Sequence, residues 1–310
     1  MLKMENKLKL SDKELMKNLD IDAKTLEMFK NVREKALKEA KELNKPKTGK
    51  IKILGISGSA RDEFDKAQEN SSSEALLIKC LNYCKKLGAE TEIIQLRKFK
   101  IEHCKACYST CNTQCHFYCS CYPKGTKEGD DMSNILYDKI LNADAIIFAT
   151  PVNNFSMSTF MKAFLDRCIS LDGSLSPANP KSPKDKELNI KHMKFVEMTA
   201  DNNISGSGML RRFSGKVGGM IVIGHEEGAS MVISSLFMTL NHYGMLFPPF
   251  SNMYAMSNYC NSTYKDKNII TNECYDEETQ LLAENIITAT KSLKNSKVNP
   301  TDWKYDSHMN

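Results

Sequence analysis

No apolar run in these 310 residues reaches the roughly 18 positions that a membrane-spanning helix requires. Residues 1–7, Met-Leu-Lys-Met-Glu-Asn-Lys, have no apolar core of the kind a signal peptide carries. The expectation is a soluble, cytoplasmic protein with no membrane partner. A dense basic block is also missing. The 43 Lys and Arg against 38 Asp and Glu leave a formal charge of +5, spread over lysine-rich surfaces, so nucleic acid is not an expected partner. No GxGxxG fingerprint follows a strand-like run, which leaves a separate nicotinamide-binding domain without support. Cysteine, by contrast, is plentiful, at eleven residues. In a reducing compartment structural disulfides are not expected, so clustered thiols point to metal or redox work and scattered ones to packing.

Residues 1–49 read as a charged helical extension, with Ser11-Asp-Lys-Glu14 matching a capping box. Leu26, Phe29, Val32, Ala36, Ala40 and Leu43 give it a thin apolar stripe at helical spacing. Proline, glycine and charge at 44–50 mark the boundary of a core domain at 50–260. That core opens with an apolar strand at 51–56, which breaks at Gly58, and a helix begins among serines at 71–73. Strand, loop and helix in this order make an anion cradle. Ser57, Ser59, Ser71, Ser73 and Arg61 converge with the amides of a helix N-terminus, which suits a phosphate. A plain βα turn with capping serines is the other reading of this stretch. Cys80 and Cys84 fall on the apolar side of that helix with Leu77 and Leu81 and are expected in the core. Gly88 ends the helix and 91–96 gives a second strand.

Six cysteines, Cys104, Cys107, Cys111, Cys115, Cys119 and Cys121, fall within 18 positions. Iron–sulfur clusters and zinc sites both need four converging ligands, commonly sulfurs. The spacing leaves the metal open: Cys104-x2-Cys107-x3-Cys111 is not the common ferredoxin run, His103 and His116 keep zinc in play, and redox-active or idle thiols complete the alternatives. Next, the run at 144–151 is a buried parallel strand expected to stop at Pro151, with a loop at its carboxyl end where ligands of open α/β sheets sit. The following helix buries Met157, Phe160, Met161, Phe164, Leu165, Cys168 and Ile169 at a 3.6-residue period. Residues 171–214 read as an insertion, with a strand-like stretch at 193–198. The core resumes as a strand at 216–224, and His225 lies on the loop that opens the next helix. A lone histidine there is more often structural or merely exposed. A closing helix at 276–293 and a tail with the single tryptophan, Trp303, make up 261–310.

Three separated motifs make the chain resemble the NADPH-dependent FMN reductase family of flavodoxin-like proteins, and within it the iron–sulfur flavoproteins. Gly-Ile-Ser-Gly-Ser-Ala-Arg at 55–61 with Asn-Ser-Ser-Ser-Glu-Ala-Leu-Leu at 70–77 looks like the family's FMN phosphate loop. Thr-Pro-Val-Asn-Asn-Phe-Ser-Met-Ser at 150–158, followed by Met161-Lys-Ala-Phe-Leu-Asp-Arg167, looks like the loop at the isoalloxazine edge. Gly-Lys-Val-Gly-Gly at 215–219 with Gly-His-Glu-Glu-Gly at 224–228 is similar to the third flavin loop, and the cysteines ending at Asp130-Asp-Met132 resemble the four-cysteine motif of the iron–sulfur members. Two departures stand out: Asn153 follows Pro-Val where an aromatic is common, and three residues, not two, separate Cys107 from Cys111.

The resemblance implies an α/β flavodoxin-like fold, a doubly wound parallel five-stranded sheet with an N-terminal helical extension. It implies FMN held by Ser57, Ser59, Arg61, Ser71, Ser72 and Ser73 at the phosphate, and by Thr150, Pro151, Val152, Asn153, Asn154, Phe155, Ser156, Met157, Gly224, His225 and Gly228 around the ring. A [4Fe-4S] cluster is expected on Cys104, Cys107, Cys111 and Cys119, with Cys115 and Cys121 in reserve. Chemistry belongs to the flavin, so no side chain is singled out as catalytic. NAD(P)H or a reduced redox protein would supply electrons, and a homo-oligomer is implied. The alternatives are a cluster-free FMN, quinone or nitro reductase, and a non-enzymatic redox carrier or sensor.

Overall fold

The computed structural model describes residues 8, 10–62, 71–110, 113–201, 203–224, 228–256, 270, 275–296 and 299. Two helices lead, α1 (Asp12–Leu19) and α2 (Ala23–Leu43). The Ser11–Glu14 capping box forms as the sequence indicates, with the Ser11 amide donating to the Glu14 carboxylate at 2.8 Å. The core then alternates β1 (Lys52–Ser57), α3 (Ser72–Lys86) and β2 (Glu90–Gln95). It continues through a short helix α4 (Cys107–Thr110), a π-turn at Met132–Leu136 and α5 (Tyr137–Asn142). There follow β3 (Ala145–Asn153), β4 (Ser156–Met157), α6 (Thr159–Cys168), α7 (Lys186–Thr199), β5 (Val217–Gly224), α8 (Ala229–His242), β6 (Asn252–Met256) and α9 (Asp276–Lys294).

Five strands are parallel in the order β2-β1-β3-β5-β6, and β4 folds back antiparallel on the end of β3. This is the doubly wound flavodoxin-like arrangement, in which the strand order reverses beside β1 and opens a crevice at the carboxyl ends. Alternation along each strand decides which layer a side chain joins. Leu54, Ile56, Ile146, Phe148, Met220 and Val222 pack under α5, α6 and α8. Ile53, Ala145, Ile147, Val217 and Ile221 pack under α3 and α9, where Cys80 and Cys84 are buried as expected. Gly88, at φ +94°, supplies the left-handed residue that ends α3.

Three elements differ from the sequence reading. The strand-like stretch 193–198 is the second half of α7: Asp185 caps the helix, accepting from Leu188 N at 3.0 Å, and Phe195, Val196 and Thr199 are buried at helical spacing. That face packs with α1 and α2 into a separate apolar cluster, so the insertion is tied to the N-terminal helices. Secondly, β3 runs past Pro151 to Asn153. Its partner β1 has ended at Ser57, opposite Ala149, so β3 has an open edge there, where proline is tolerated. Thirdly, the fifth parallel strand is β6, whose two inward residues, Met253 and Ala255, are too few to announce a strand.

Candidate functional site

The site lies where β1 gives way to α3. Gly58 continues the ladder with N–H to Ala149 O at 2.7 Å, and Ser158 donates to Gly58 O at 2.5 Å while its Oγ accepts from Met161 N at 3.2 Å. A Cβ on Gly58 would stand 2.9 Å from both Met161 Cβ and Ser158 Oγ, so only glycine lets the first loop lie against the β3–α6 connection. Ser59 Oγ accepts from Arg61 N at 3.1 Å, and the Ser71 and Ser73 hydroxyls meet at 2.8 Å. Ser71 precedes α3 without capping it through its side chain, and the first amides of a helix have no intrahelical acceptor. A cavity of about 290 Å³ is lined by Ser59, Arg61, Ser71, Ser72 and Ser73 on one side and by Pro151, Val152, Asn153 and Gly224 on the other. Hydroxyls, a guanidinium and a helix N-terminus facing one open space fit a phosphate.

The remaining expected residues divide by depth. Ser57 and Thr150 are fully buried: Ser57 donates inward to Glu74 at 2.6 Å, and Thr150 Oγ1 accepts from Ser158 N at 3.2 Å. Met157 is buried in the core beneath α6, with Ser156 exposed beside it. Asn154 and Phe155, at φ +49° and +62°, make the two-residue turn between β3 and β4, and Phe155 stands 59% exposed at its tip. Gly228 lies against that turn, since a Cβ there would come 2.8 Å from Phe155 Cα. His225 lies outside the described residues.

Beneath the cradle sits a buried polar cluster that the sequence reading missed. Glu74 accepts from Ser57 Oγ, from Gln95 Nε2 at 2.5 Å, and from Arg97 Nη1 and Nη2 at 2.5 and 3.0 Å. Burial pushes this carboxyl up, but the Arg97, Ser57 and Gln95 bonds outweigh it and hold it below the ordinary carboxylate value. The available signal was a glutamate between buried Ser73 and Leu76, on an otherwise apolar helix face.

The thiol segment lies alongside α6 and shares its core, with Phe117, Cys119 and Tyr122 in the cluster that holds Met161 and Leu165. Arg167, at the end of α6, fastens it. The guanidinium pairs with buried Asp130, donates to Glu102 O at 3.0 Å and lies 4.4 Å over the Tyr122 ring, whose hydroxyl donates to His103 O at 2.8 Å. Cys121 Sγ donates to Cys107 Sγ at 3.9 Å, and Cys115 also bonds Cys107. These two donors hold the Cys107 thiol well below its ordinary value, while Cys115 and Cys121 are pushed up. The Cys121 bond, with Arg167 adding, brings Cys119 down to about 6. Cys104 accepts from Ala106 N at 3.4 Å. Cys111 lies outside the described residues. Of the expected ligands the structure therefore places Cys107 and Cys119 in this thiol group, joined by the reserves Cys115 and Cys121, with Cys104 near enough to Cys107 and Cys119 to feel their charge. Among the described residues, no three His, Cys, Asp or Glu side chains converge as a ready metal site.

Residues 51–259 match the family model described as NADPH-dependent FMN reductase. The chain belongs to that family. An iron–sulfur flavoprotein of Methanocaldococcus jannaschii is 30% identical to this FMN reductase family member over 118 residues, 38% of this chain and 50% of the relative. An iron–sulfur flavoprotein of Archaeoglobus fulgidus is 34% identical over 120 residues, 38% of this chain and 51% of that one. The chain thus spans about half the length of the curated relatives it matches. Among solved structures, RosB with bound intermediate OHC-RP (8-demethyl-8-formylriboflavin-5'-phosphate) superposes at TM-score 0.55 and 17% identity, over 81% of this chain and 83% of that one. That likeness concerns the fold.

Proposed function

We propose that this FMN reductase family member is a flavin-dependent oxidoreductase that binds FMN in the crevice between β1 and β3 and carries an iron–sulfur cluster on its thiol segment. One observation carries the reading: a cradle of serine hydroxyls, Arg61 and helix amides opens on the β3–β4 turn at the carboxyl edge of the parallel sheet. The cradle fits the terminal phosphate of a mononucleotide, with Ser59, Arg61, Ser71, Ser72 and Ser73 as its partners. Residues 150–157, Gly224, His225 and Gly228 would border the ring. When bound there, the flavin supplies hydride and single-electron chemistry. The chain's own part is to grip the phosphate, to fix the β3–β4 turn through Ser158 and Thr150, and to hold the ring's edge toward an incoming NAD(P)H or redox protein. Residues 50–260 form the flavin-binding unit in this reading, with 1–49 and 261–310 as additions, and the reducing cytoplasm suits the free thiols.

The donor set of the thiol segment also fits its proposed group, since soft thiolates suit iron–sulfur clusters. Cys104, Cys107, Cys111 and Cys119 are the proposed ligands, with Cys115 and Cys121, both bonded within the group, as the nearest replacements. Because the described thiols do not converge as a ready site, a cluster-free flavin reductase is the second reading. Anaerobic purification with flavin, iron and zinc counted per chain separates the two. The expected result is bound FMN plus iron, and Cys107→Ser should abolish iron while leaving flavin bound. Iron content equal to wild type in that variant would refute the ligand assignment.

No helix among the described residues is long and apolar enough to cross a membrane. A second copy of the chain is the macromolecular partner included in this reading.

A further inference from the structure

Glu74 sets a buried carboxylate behind Ser57, next to a cradle whose ligand, on the reading above, is a dianion. Its side chain is buried, at the first turn of the helix whose amides face the cavity. Left unpaired there, it would repel a phosphate across a medium that screens poorly. Arg97, from the 3-10 turn Leu96–Lys98 that follows β2, closes its fork over both carboxylate oxygens, while Gln95 and Ser57 take up further acceptor capacity. The same guanidinium reaches Asp62, with Nε 3.5 Å from a carboxylate oxygen. Asp62 directly follows Arg61. A single side chain from the turn after β2 thus contacts Glu74, which holds Ser57, and Asp62, which adjoins Arg61. Ser57 is turned inward, so the outward surface is left to Ser59, Arg61 and the helix start.

We propose that Glu74 and Arg97 are a positioning pair that holds residues 57–62 and the start of α3 for a phosphorylated flavin and sets the preference for FMN over riboflavin. The inference rests on the flavin assignment. Arg97 cancels the Glu74 charge where the phosphate would feel it, and its removal exposes that charge. Riboflavin carries the ribityl chain but no phosphate, so it should be far less sensitive.

The test is fluorescence titration of the full chain, stripped of flavin, with FMN and with riboflavin. Arg97→Met should raise the FMN Kd by about tenfold or more and the riboflavin Kd by less than about threefold. Adding Glu74→Gln to Arg97→Met should return the FMN Kd to within about threefold of wild type, because the exposed charge is gone. Glu74→Gln alone should leave the FMN preference intact or strengthen it. Equal loss of both ligands in Arg97→Met, or a double variant that binds FMN no better than the single one, overturns the pair. Should Arg97→Met not fold, the equally neutral Arg97→Gln is read against riboflavin in the same way, and a fall in the FMN preference from Glu74→Gln alone is a further overturning result. A wild type that binds neither ligand sinks the flavin assignment itself and this inference with it. A wild type that binds both while the variants lose both equally sinks only the pair.

Discussion

At the scale of single residues, Gly58 is the point where the loop after β1 meets the β3–α6 connection. The missing Cβ lets Ser158 reach the Gly58 carbonyl and lets Met161 pack beneath it, so any side chain must push the β3–α6 connection away from the cradle. Gly58→Ala should destabilise the fold by about 1–3 kcal/mol through overpacking, read from the denaturation midpoint, and should lower the flavin retained on purification. A variant as stable as wild type with full flavin content would show that the contact is slack. Residue type and position were enough to nominate Ser59, Arg61, Ser71 and Ser73, because hydroxyls and a guanidinium after a strand have few other uses together. Glu74 could not be found that way. A glutamate in the first turn of a helix reads as a solvated partner of the helix dipole, and only the fold shows that Arg97, from the end of the next strand, closes over it.

At the scale of elements, the βαβ opening and both core faces were legible because apolar alternation and helical spacing are strong local signals. The β6 strand and α7 were not. Phe195 and Val196 favour a strand by type, and the helical answer depends on docking against α2, where the His192 ring lies 4.8 Å from Phe29. That docking has a pH signature. Burial, with His116 nearby adding, pulls His192 down to about 4, and burial does the same to His116. Both rings are neutral in the fold, whereas the unfolded chain takes up protons near pH 6.5. The contribution of these two rings is therefore complete above about pH 6.5 and falls as the pH drops toward 4, by up to about 3 kcal/mol for each ring. Urea unfolding at pH 7 and pH 4.5 measures the loss. His192→Leu should make this slope shallower, and an unchanged slope would place the proton uptake elsewhere. The carboxylates held low by their partners, Glu74 and Asp130, begin to lose their contribution only near the ordinary carboxylate values, at the foot of this window.

At the scale of the whole molecule, α8 is anomalous. About a quarter of the chain is charged, yet no Lys, Arg, Asp or Glu occurs from Ala229 to His242, and the helix lies on the outside of the sheet. Met231, Phe237 and Met238 are 63%, 42% and 70% exposed along it, and Phe250 is 76% exposed just before β6. On β6, Met253 and Ala255 pack into the α3 and α9 layer, so Tyr254 points to the side of the sheet that α8 occupies, where it is 56% exposed. Five such side chains amount to roughly 500 Å² of uncovered, largely apolar surface, against about 800 Å² per partner in a standard interface. Charge does not select the partner, because the helix carries none beyond His242. A second copy meeting this face across a two-fold axis places neutral apolar surface against itself without repulsion. Gly228, at the head of α8, touches the β3–β4 turn, so such an interface would begin beside the proposed flavin cavity. Sedimentation equilibrium of the full chain should show a dimer, and Met238→Lys, which brings two like charges toward one axis, should weaken it by about tenfold or more. If the wild-type chain sediments as a monomer at tens of micromolar, roughly the concentration at which an interface of this size is expected to hold, then α8 is not a self-association face.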